Sequence, residues 1–525
     1  MSPGPDPASA TMPEAVGVLG AGQMGAGIAQ MAAQAGAVTY LYDPDPAALA
    51  RGLARIEEGL GRLESRGKID AQARADALGR LRPISAIADL APCGFVIEAA
   101  PERLELKLAL FTEVAAAVAE DCILATNTSS LSITEIAAGV PGPERVVGLH
   151  FFNPAPVMRL AEVVAGLETG DAALATARAV GEAMGKTVID AADIAGFLVN
   201  RVNRPFFLEA LRILQERIAT PEQIDRILRL GGGFRMGPFE LMDLIGIETN
   251  HAVAESFLRQ TYGEPRYQPS PLAARMVTGG RLGRKTGAGW YPYGDDAPAR
   301  TPDPQAAEPG GGDGRPLVVL GGTRLASELR SAAAAAGWVV TSEADAGGDA
   351  PYLTVDASDE PGDGGRGAGP RAVLLSRGAL HLVAPEAAGF HVAGPLAATR
   401  LIETTRTVLS DPEAVARLRE LVVTLGKHPE PVADGPGLVL GRILATVVNE
   451  AAVLVGEGNG TAEDVDTGME LGLNYPAGPV KLADRIGLDH VLGLLDGLAD
   501  DRREPRYRAA PLLRYRAAIG GSLRG

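Results

Sequence analysis

The hydrophobic pattern of residues 16–43 predicts a strand, a glycine-rich turn, a helix and a second strand. A short apolar run precedes Gly20, apolar positions then recur at helical spacing, and a second apolar run ends at Asp43. Gly20, Gly22 and Gly25 have the G-x-G-x-x-G spacing, which permits a tight turn, close approach of a pyrophosphate and close helix–strand packing. The pattern therefore predicts a dinucleotide site, although a glycine-rich turn between packed elements is the simpler alternative.

The helix that follows these glycines should present free N–H groups to phosphates. We expect the cofactor to contact Gly20, Gly22, Gln23, Met24 and Gly25. A carboxylate at the position of Asp43 should accept a hydrogen bond from a ribose 2′-hydroxyl and repel a 2′-phosphate. This favours NAD over its phosphorylated form.

The same alternation continues through residues 14–190 and predicts one α/β domain. Apolar runs lie at 93–101, 122–130, 145–154 and 158–166, and helical patterns lie at 45–80 and 102–120. Such alternation indicates a mainly parallel sheet that binds ligands at the carboxyl ends of its strands. From residue 191 to 293 the pattern becomes helical. Residues 294–315 are rich in proline, glycine and charge, as is typical of a linker.

The second half of the chain repeats the first. Residues 433–451 align with 192–210 at a shift of 241 residues, and the shift holds without gaps through Asp225/Asp466 and Gly246/Gly487. The start of the repeat keeps a strand, turn and helix but loses the glycine spacing, and the loop at 356–370 interrupts it. We expect 316–433 to be a degenerate α/β domain without a working nucleotide site, and 434–525 to be a second helical domain.

Composition excludes several classes of function. The 525 residues carry a net charge of −16, which argues against a nucleic-acid or anionic-membrane partner. Cys93 and Cys122 form no disulfide framework or metal cluster, so we expect both to fill core space. Residues 1–13 are rich in proline and lack an apolar signal core, which predicts a disordered leader. With no run long enough to cross a membrane, we expect a cytoplasmic protein.

Polar residues at the predicted strand ends are candidates for chemistry. They are Asn127, Ser129, His150 and Asn153, with Glu162 on the next strand and Asn200 in the first long helix. Oxidation of an alcohol without a metal needs a base, a carboxylate to orient that base, and neutral donors near the developing carbonyl oxygen. These residue types satisfy that requirement, although each could also be an ordinary turn, cap or surface residue.

Six motifs together resemble the (S)-3-hydroxyacyl-CoA dehydrogenase family. They are GAGQMGAGIAQ, NTSSL, HFFNPAPVMRLAEVV, GFLVNR, MGPFEL and GRKTGAGWY, which span residues 14–293 in the family's order. The resemblance implies an NAD-dependent Rossmann domain followed by an all-α domain that dimerises in relatives. It implies that His150 is the acid/base, that Glu162 orients it, and that Ser129 and Asn200 assist at the substrate. It places Glu102, Lys107, Asn127, Ser129, Asn153 and Lys285 near NAD. For the three charged residues of this set, the simpler alternative is a position on the protein surface.

The resemblance also suggests a substrate and an assembly. Chains with the additional half resemble the form found in phenylacetate-type catabolism, which acts on 3-hydroxyadipyl-CoA. Arg235 could pair with the distal carboxylate of such an acyl chain, and CoA phosphates could bind among Arg51, Arg55, Arg62, Arg66 and Lys68. The alternatives are a 3-hydroxybutyryl-CoA dehydrogenase, a sugar-acid dehydrogenase that needs no CoA, and a non-catalytic NAD-binding scaffold.

The repeat carries His391 and Glu403 in place of the His–Glu pair, with glycines at both asparagine positions. We expect this copy to be inactive and the pair to be a remaining structural hydrogen bond. The two halves should form either a pseudo-dimer within one chain or a homodimer with both halves at its interface.

Overall fold

The computed structural model describes residues 11–294, 297–341, 351–358 and 369–524, which fall into two compact units. The first contains the described residues up to Arg201 together with Asn459–Leu473, and the second contains the remainder. Most of the predicted leader and most of the loop at 356–370 lie outside the described residues.

The first unit is built on an eight-stranded sheet in the order β3-β2-β1-β4-β5-β6-β7-β8. All neighbouring strands are parallel except β6 and β7, which are antiparallel. The strands are β1 (Ala15–Leu19), β2 (Val38–Tyr42), β3 (Leu81–Ile84), β4 (Phe95–Glu98), β5 (Ile123–Thr126), β6 (Val146–Phe151), β7 (Leu160–Ala165) and β8 (Thr187–Ala192).

The helices that cover this sheet begin and end where the sequence provides caps. They are α1 (Gln23–Gln34), α2 (Pro46–Ser65), α3 (Ala71–Arg80), α4 (Leu104–Ala117), α5 (Ile133–Ala137) and α6 (Asp171–Ala183). Asp45 accepts a hydrogen bond from the Ala47 N–H and Pro46 opens α2, which are favourable residues at these positions. The central strands β4 and β5 are buried along their whole length, as expected for a parallel sheet covered on both faces.

Helix α7 (Val199–Gln215) begins in the first unit and continues into the second, where α8 (Pro221–Arg226), α9 (Pro238–Ile245), α10 (Ile247–Gln260) and α11 (Pro271–Thr278) follow. Helix α8 continues as a π-helical turn over Ile227–Gly231. The described residues 297–315 form neither helix nor strand. They are attached to the preceding helices, because Asp303 accepts hydrogen bonds from Arg229 at 2.6 and 3.1 Å.

The second unit contains a seven-stranded sheet in the order β10-β9-β11-β12-β13-β14-β15. Only its β13–β14 pair is antiparallel, which is the pattern of the first sheet without a counterpart of β3. The strands are β9 (Pro316–Leu320), β10 (Val339–Thr341), β11 (Leu353–Asp356), β12 (Arg371–Leu374), β13 (Ala388–His391), β14 (Leu401–Arg406) and β15 (His428–Pro431).

Helices α12 (Arg324–Ala335), α13 (Leu380–Val383) and α14 (Pro412–Thr424) cover this sheet, and the remaining helices are α15 (Leu440–Gly456), α16 (Ala462–Leu473), α17 (Pro479–Ile486), α18 (Leu488–Arg502) and α19 (Pro511–Ala518). None of the helices in the described part of the chain is long and apolar enough to span a membrane. The described residues also contain no group of three or more His, Cys, Asp or Glu suited to a metal ion.

Each sheet receives a helix from the other half of the sequence. Helix α16 packs on β7 and β8 in the first unit. This packing is close, because a Cβ atom on Gly468 would lie 2.8 Å from Val199 and one on Gly472 would lie 2.8 Å from Leu160. In the second unit, the π-helical turn after α8 packs on β14, and the N–H of Arg400 donates to its Leu230 carbonyl.

Buried hydrogen bonds inside the second unit also join the two halves of the sequence. The Tyr507 hydroxyl donates to Glu209 at 2.7 Å, and the Tyr267 hydroxyl donates to Glu450 at 2.6 Å. Glu450 lies 241 residues after Glu209, so the two hydrogen bonds are reciprocal contacts between the halves of the sequence. Arg442 completes the first pair, because its Nε donates to Glu209 at 2.5 Å.

Candidate active site

The glycine turn after β1 has the conformation that a dinucleotide requires. Gly20 has φ +96°, and a Cβ atom there would lie 2.7 Å from the Ala99 carbonyl oxygen. A Cβ atom on Gly25 would lie 1.8 Å from the Gly20 carbonyl oxygen, so only glycine permits this approach of helix to strand. Gly22 instead faces open space, and it caps α1 without a side-chain hydrogen bond. The first N–H groups of α1 are therefore available to a pyrophosphate.

Asp43 lies immediately after β2 and closes the same turn. Its two carboxylate oxygens accept hydrogen bonds from the backbone N–H groups of Ala21, at 2.8 Å, and Asp45, at 3.0 Å. Each carboxylate oxygen can accept a further hydrogen bond, so these contacts position Asp43 without exhausting it. The arrangement fits an NAD ribose, and Gln23 and Met24 begin the helix beside it.

His150 and Glu162 face each other across the antiparallel pair β6–β7. They are register partners, and His150 Nδ1 lies 2.7 Å from Glu162 Oε2. Because a carboxylate only accepts hydrogen bonds, this contact places the proton on Nδ1 and leaves the Nε2 lone pair free in the neutral ring. The rings of Phe152 and Phe197 flank the imidazole, with centroids 4.7 and 5.8 Å away.

The other oxygen of Glu162 is bound by the start of α7. Its Oε1 accepts hydrogen bonds from the N–H groups of Leu198, at 3.2 Å, and Val199, at 2.9 Å. Gly196 and Phe197 precede them with positive φ angles of 72° and 51°, and for phenylalanine this conformation costs about 1–3 kcal/mol. This turn directs two donors at one carboxylate oxygen, which fixes Glu162 although its side chain is fully buried.

The polar turn after β5 is held by charges that the sequence did not reveal as a cluster. Glu98, at the end of β4, is fully buried and accepts two hydrogen bonds from Lys107, at 2.7 and 2.8 Å. Lys107 also pairs with Glu102 at 3.2 Å. Lys107 is therefore buried rather than a surface charge, and it is paired with two carboxylates.

Glu102 in turn organises residues 128–130. One of its oxygens accepts hydrogen bonds from the Thr128 hydroxyl and from the N–H groups of Ser129 and Ser130. Partial burial raises the pKa of Glu102, but the charge of Lys107 and these hydrogen bonds outweigh it and lower the pKa below its ordinary value. The carboxylate thus stays charged and holds Ser129 at the exposed end of β5.

The predicted asparagines lie at the same edge of the first sheet. Asn127 accepts a hydrogen bond from the Phe151 N–H at 2.8 Å and so ties the end of β5 to the end of β6. Asn153 is exposed and accepts from Gln23 Nε2 at 2.9 Å, which connects the residues after β6 to the glycine turn. Asn200 lies half-buried in the first turn of α7, directly after the N–H groups that bind Glu162.

Two predicted sets of cations have different surroundings. Lys285 lies in the second unit, half exposed, and forms an ion pair with Glu248. Three of the candidate CoA-binding arginines, Arg55, Arg62 and Arg66, line one pocket of about 410 Å³ in the first unit, with Gln23 and Pro154 on its other side. The pocket therefore distinguishes these three from the remaining candidate cations.

The second half does not reproduce this geometry. His391 and Glu403 are again register partners, but His391 Nδ1 lies 4.0 Å from Glu403 Oε2, so the expected remaining hydrogen bond is wrong. The ring of His391 instead lies against Gly441, where a Cβ atom would come within 2.4 Å of it, and its Nε2 faces His490 Nε2 at 3.2 Å. Glycine at position 441, where the first half has Asn200, leaves room for the ring.

Burial neutralises both members of that pair. Desolvation, with a smaller effect of the neighbouring His490, lowers the pKa of His391 well below its ordinary value. Desolvation also raises the pKa of Glu403 to about 8, although the N–H groups of Val439 and Leu440 donate to it. The pair therefore lacks the oriented imidazole of the first half.

The turn at the start of the second sheet differs from the glycine turn of the first. Thr323 caps α12 by accepting a hydrogen bond from the Ala326 N–H at 3.0 Å, whereas Gly22 leaves the corresponding group of α1 free. Arg330 donates to the carbonyls of Val319 and Gly321 in the same turn. The Thr323 side chain therefore occupies one N–H group at the start of α12, and Arg330 occupies two carbonyl groups of the turn.

The family models match both halves of this arrangement. The NAD-binding domain of 3-hydroxyacyl-CoA dehydrogenase matches residues 15–194, and the C-terminal domain of that enzyme matches 196–293 and again 437–521.

The chain belongs to the 3-hydroxyacyl-CoA dehydrogenase family.

Its first sheet and helices are a Rossmann-type domain, its cofactor is NAD, and it is an NAD-dependent 3-hydroxyacyl-CoA dehydrogenase.

Relatives exist in two lengths. The chain is 38% identical over 506 residues to the 3-hydroxyadipyl-CoA dehydrogenase of Escherichia coli K12, covering 96% of this chain and 98% of that one. A crystal structure described as 3-hydroxybutyryl-CoA dehydrogenase from E. coli K12 matches with a TM-score of 0.81 and 34% identity, over 97% and 98% of the two chains. A probable 3-hydroxybutyryl-CoA dehydrogenase of Deinococcus radiodurans is 42% identical, but its match covers 53% of this chain and 99% of that relative.

Proposed function

We propose that this chain oxidises a 3-hydroxyacyl-CoA at one site, formed by its first half, with His150 as the acid/base. The observation that carries this proposal is the 2.7 Å contact between His150 Nδ1 and Glu162, which leaves His150 Nε2 as the free basic atom. The carboxyl ends of β6 and β1 lie at one edge of the sheet, so the base and the glycine turn share that edge.

The residues have separable roles in this scheme. His150 Nε2 takes the proton of the substrate hydroxyl, and Glu162 stabilises the imidazolium that forms. The hydroxyl of Ser129 and the amide of Asn200 are the neutral donors for the oxygen on C3. Bound NAD⁺ would supply the acceptor for the hydride from C3, held by the N-terminus of α1 and by Asp43.

Coenzyme A has a suitable pocket in the first unit. Its phosphates need cations, and the pocket of about 410 Å³ presents Arg55 and Arg62 from α2 together with Arg66, the residue that follows this helix. Arg62 also pairs with Glu58, so it is partly neutralised, whereas Arg55 reaches the Ala21 carbonyl at the glycine turn. We propose that these three arginines hold the phosphates, while Arg51, which pairs with Asp45, is a solvated charge.

We propose 3-hydroxyadipyl-CoA as the preferred substrate. Support comes from the relative that matches 96% of the chain and is described as the enzyme for that substrate. The alternative is 3-hydroxybutyryl-CoA, which the descriptions of the similar E. coli structure and of the half-length relatives favour. A terminal carboxylate distinguishes the two substrates, so a cation that recognises it decides between them. Arg235 is exposed and remains one candidate for that cation.

We further propose that 316–433 is a decayed copy of 14–190, that 434–525 copies 191–293, and that the copies form a pseudo-dimer within one chain. The shared strand order, the reciprocal glutamate–tyrosine bonds and the exchange of helices between sheets support this proposal. Light scattering tests it, since a monomer of 54.2 kDa is expected and an ordinary homodimer is the alternative. The buried free thiols of Cys93 and Cys122 agree with a reducing cytoplasm.

A panel of 3-hydroxyacyl-CoA thioesters tests the activity and the substrate together. NADH formation should be fastest with the adipyl substrate, slower with the butyryl substrate, and absent with free hydroxy acids. The variant His150→Gln should lose turnover on every thioester while keeping its affinity for NADH. Full turnover by this variant would support the scaffold alternative, and activity on free hydroxy acids would support a sugar-acid dehydrogenase.

A further inference from the structure

Glu98 is a buried carboxylate at the carboxyl end of β4, the edge of the first sheet that holds the glycine turn. It is 0% exposed, and both of its oxygens are occupied. Oε1 accepts hydrogen bonds from the Ala100 N–H, at 2.6 Å, and from Lys107 Nζ, at 2.7 Å. Oε2 accepts from Lys107 Nζ at 2.8 Å and from the Thr126 hydroxyl at 2.7 Å. Glu98 can therefore act on a bound ligand only through its neighbours.

Lys107 connects Glu98 to a second carboxylate. Its side chain is 1% exposed, and its Nζ lies 3.2 Å from Glu102 Oε2 as well as against Glu98. A buried ammonium needs paired charges and cannot exchange them for water. Glu98 belongs to the core of the sheet, whereas Glu102 lies exposed in the segment before α4. The strand therefore fixes the ammonium, and the ammonium fixes Glu102.

Glu102 extends this chain of charges to the turn after β5. Its Oε1 accepts hydrogen bonds from the N–H groups of Ser129, at 3.0 Å, and Ser130, at 3.1 Å, and from the Thr128 hydroxyl, at 2.5 Å. All of these residues belong to the first unit. A displacement of Glu102 would therefore move the backbone of Ser129, whose hydroxyl is a proposed donor to the substrate.

We propose that Glu98 is a positioning residue for the reaction: it fixes Lys107, and through Glu102 it holds the Ser129 hydroxyl in place for the oxygen on C3. This inference rests on the proposed function of Ser129. In either orientation of a glutamine at position 98, its NH₂ group would face Lys107 Nζ, because both oxygens of Glu98 bind that ammonium. The ammonium would then move towards Glu102 and displace the turn that Glu102 holds.

Glu98→Gln tests this role, with Asp356→Asn as its matched control. Asp356 ends β11, which pairs with β9 as β4 pairs with β1, and its buried carboxylate binds Arg371 within the second sheet. For Glu98→Gln, kcat on the most active thioester should fall about 10- to 100-fold, the usual loss of a charged hydrogen bond, while the Kd for NADH stays within about threefold. Asp356→Asn also removes a buried charge but should change neither value.

A double-mutant cycle separates positioning from a general structural role. If Glu98 acts through Ser129, adding Glu98→Gln to Ser129→Ala should lower kcat by less than about threefold, because the hydroxyl that it positions is already absent. The variant Glu102→Gln breaks the chain of charges at its exposed end without disturbing the core. It should show the same loss alone and the same small effect on top of Ser129→Ala, so the chain is tested even where Glu98→Gln does not fold.

An additive loss in either cycle, or a wild-type kcat in Glu98→Gln, would overturn the proposal. An equal loss of kcat in Asp356→Asn would also overturn it, because the effect would then come from any buried charge. A wild type that turns over no hydroxyacyl-CoA contradicts the proposed function itself, whereas an active wild type with additive losses contradicts only the role of Glu98.

Discussion

Replacing Glu162 with glutamine tests the geometry of the catalytic pair. Glu162 Oε1 accepts two backbone N–H groups, at 3.2 and 2.9 Å, and Oε2 faces His150 Nδ1 at 2.7 Å. A glutamine carbonyl oxygen must take the position of Oε1, because an NH₂ group there would face two donors. The NH₂ group of the new residue therefore points at His150 Nδ1.

That orientation forces the wrong tautomer on the histidine. His150 Nδ1 must become the acceptor, so the proton moves to Nε2 and the free lone pair of the base is lost. A comparable change of tautomer in a serine-protease triad lowers kcat by about 10⁴-fold, and we expect a loss of about 10³- to 10⁴-fold here. The free energy of unfolding should change by only about 1 kcal/mol, because the number of buried hydrogen bonds stays the same.

The second half supplies the matched control. Glu403→Gln alters the corresponding carboxylate, which binds two backbone N–H groups but lies 4.0 Å from His391. Rates of NADH formation at saturating substrate should collapse in Glu162→Gln and remain at the wild-type level in Glu403→Gln. The wrong tautomer is expected to lower kcat by far more than about tenfold. A Glu162→Gln variant that keeps more than about a tenth of the wild-type kcat would therefore refute this reasoning. An equal loss in the two variants would show that both halves contribute to turnover.

Three further changes follow from the polar contacts. Glu209→Gln weakens the pairing of the fully buried Arg442 and should cost about 3 kcal/mol in urea unfolding near neutral pH. Despite the opposing effect of burial, Arg442 lowers the pKa of Glu209 to about 2, so this difference should shrink as the pH falls from about 4.5 towards 2, and a pH-independent difference would contradict the assignment. Burial raises the pKa of Glu403 to about 8, so the native state binds an extra proton between about pH 4.5 and 8. The free energy of unfolding should therefore fall as the pH rises through that window. Glu403→Gln should flatten this fall in urea unfolding, and an unchanged pH profile would contradict the raised pKa. Asp43→Ser should raise the ratio of kcat/KM for NADP⁺ to that for NAD⁺ by about tenfold or more, measured with both cofactors, and an unchanged ratio would remove Asp43 from cofactor selection.

The features that the sequence predicted are those that local patterns determine. Apolar runs with glycine punctuation located β1, β4, β5, β6 and β7, and the structure confirms each strand. The antiparallel pairing of β6 and β7 was not predicted, yet it is what places His150 opposite Glu162. Spacing along the chain could suggest a His–Glu pair but could not fix its register, because register depends on contacts between strands.

Long-range burial explains what the sequence did not reveal. Lys107 looks like one charge on an exposed helix, and only its contact with Glu98 shows that it is buried and organises the turn at Ser129. Likewise, the repeat predicted a second His–Glu pair, but not that Gly441 would admit the ring of His391 and break the hydrogen bond.

The central claim, one working site per chain, is tested most directly by the stoichiometry of NADH binding to the full-length protein. The open turn at Gly22 and the capped turn at Thr323 predict one NADH per chain in a calorimetric titration. Two equivalents per chain would contradict the account, because the second half would then hold a functional dinucleotide site.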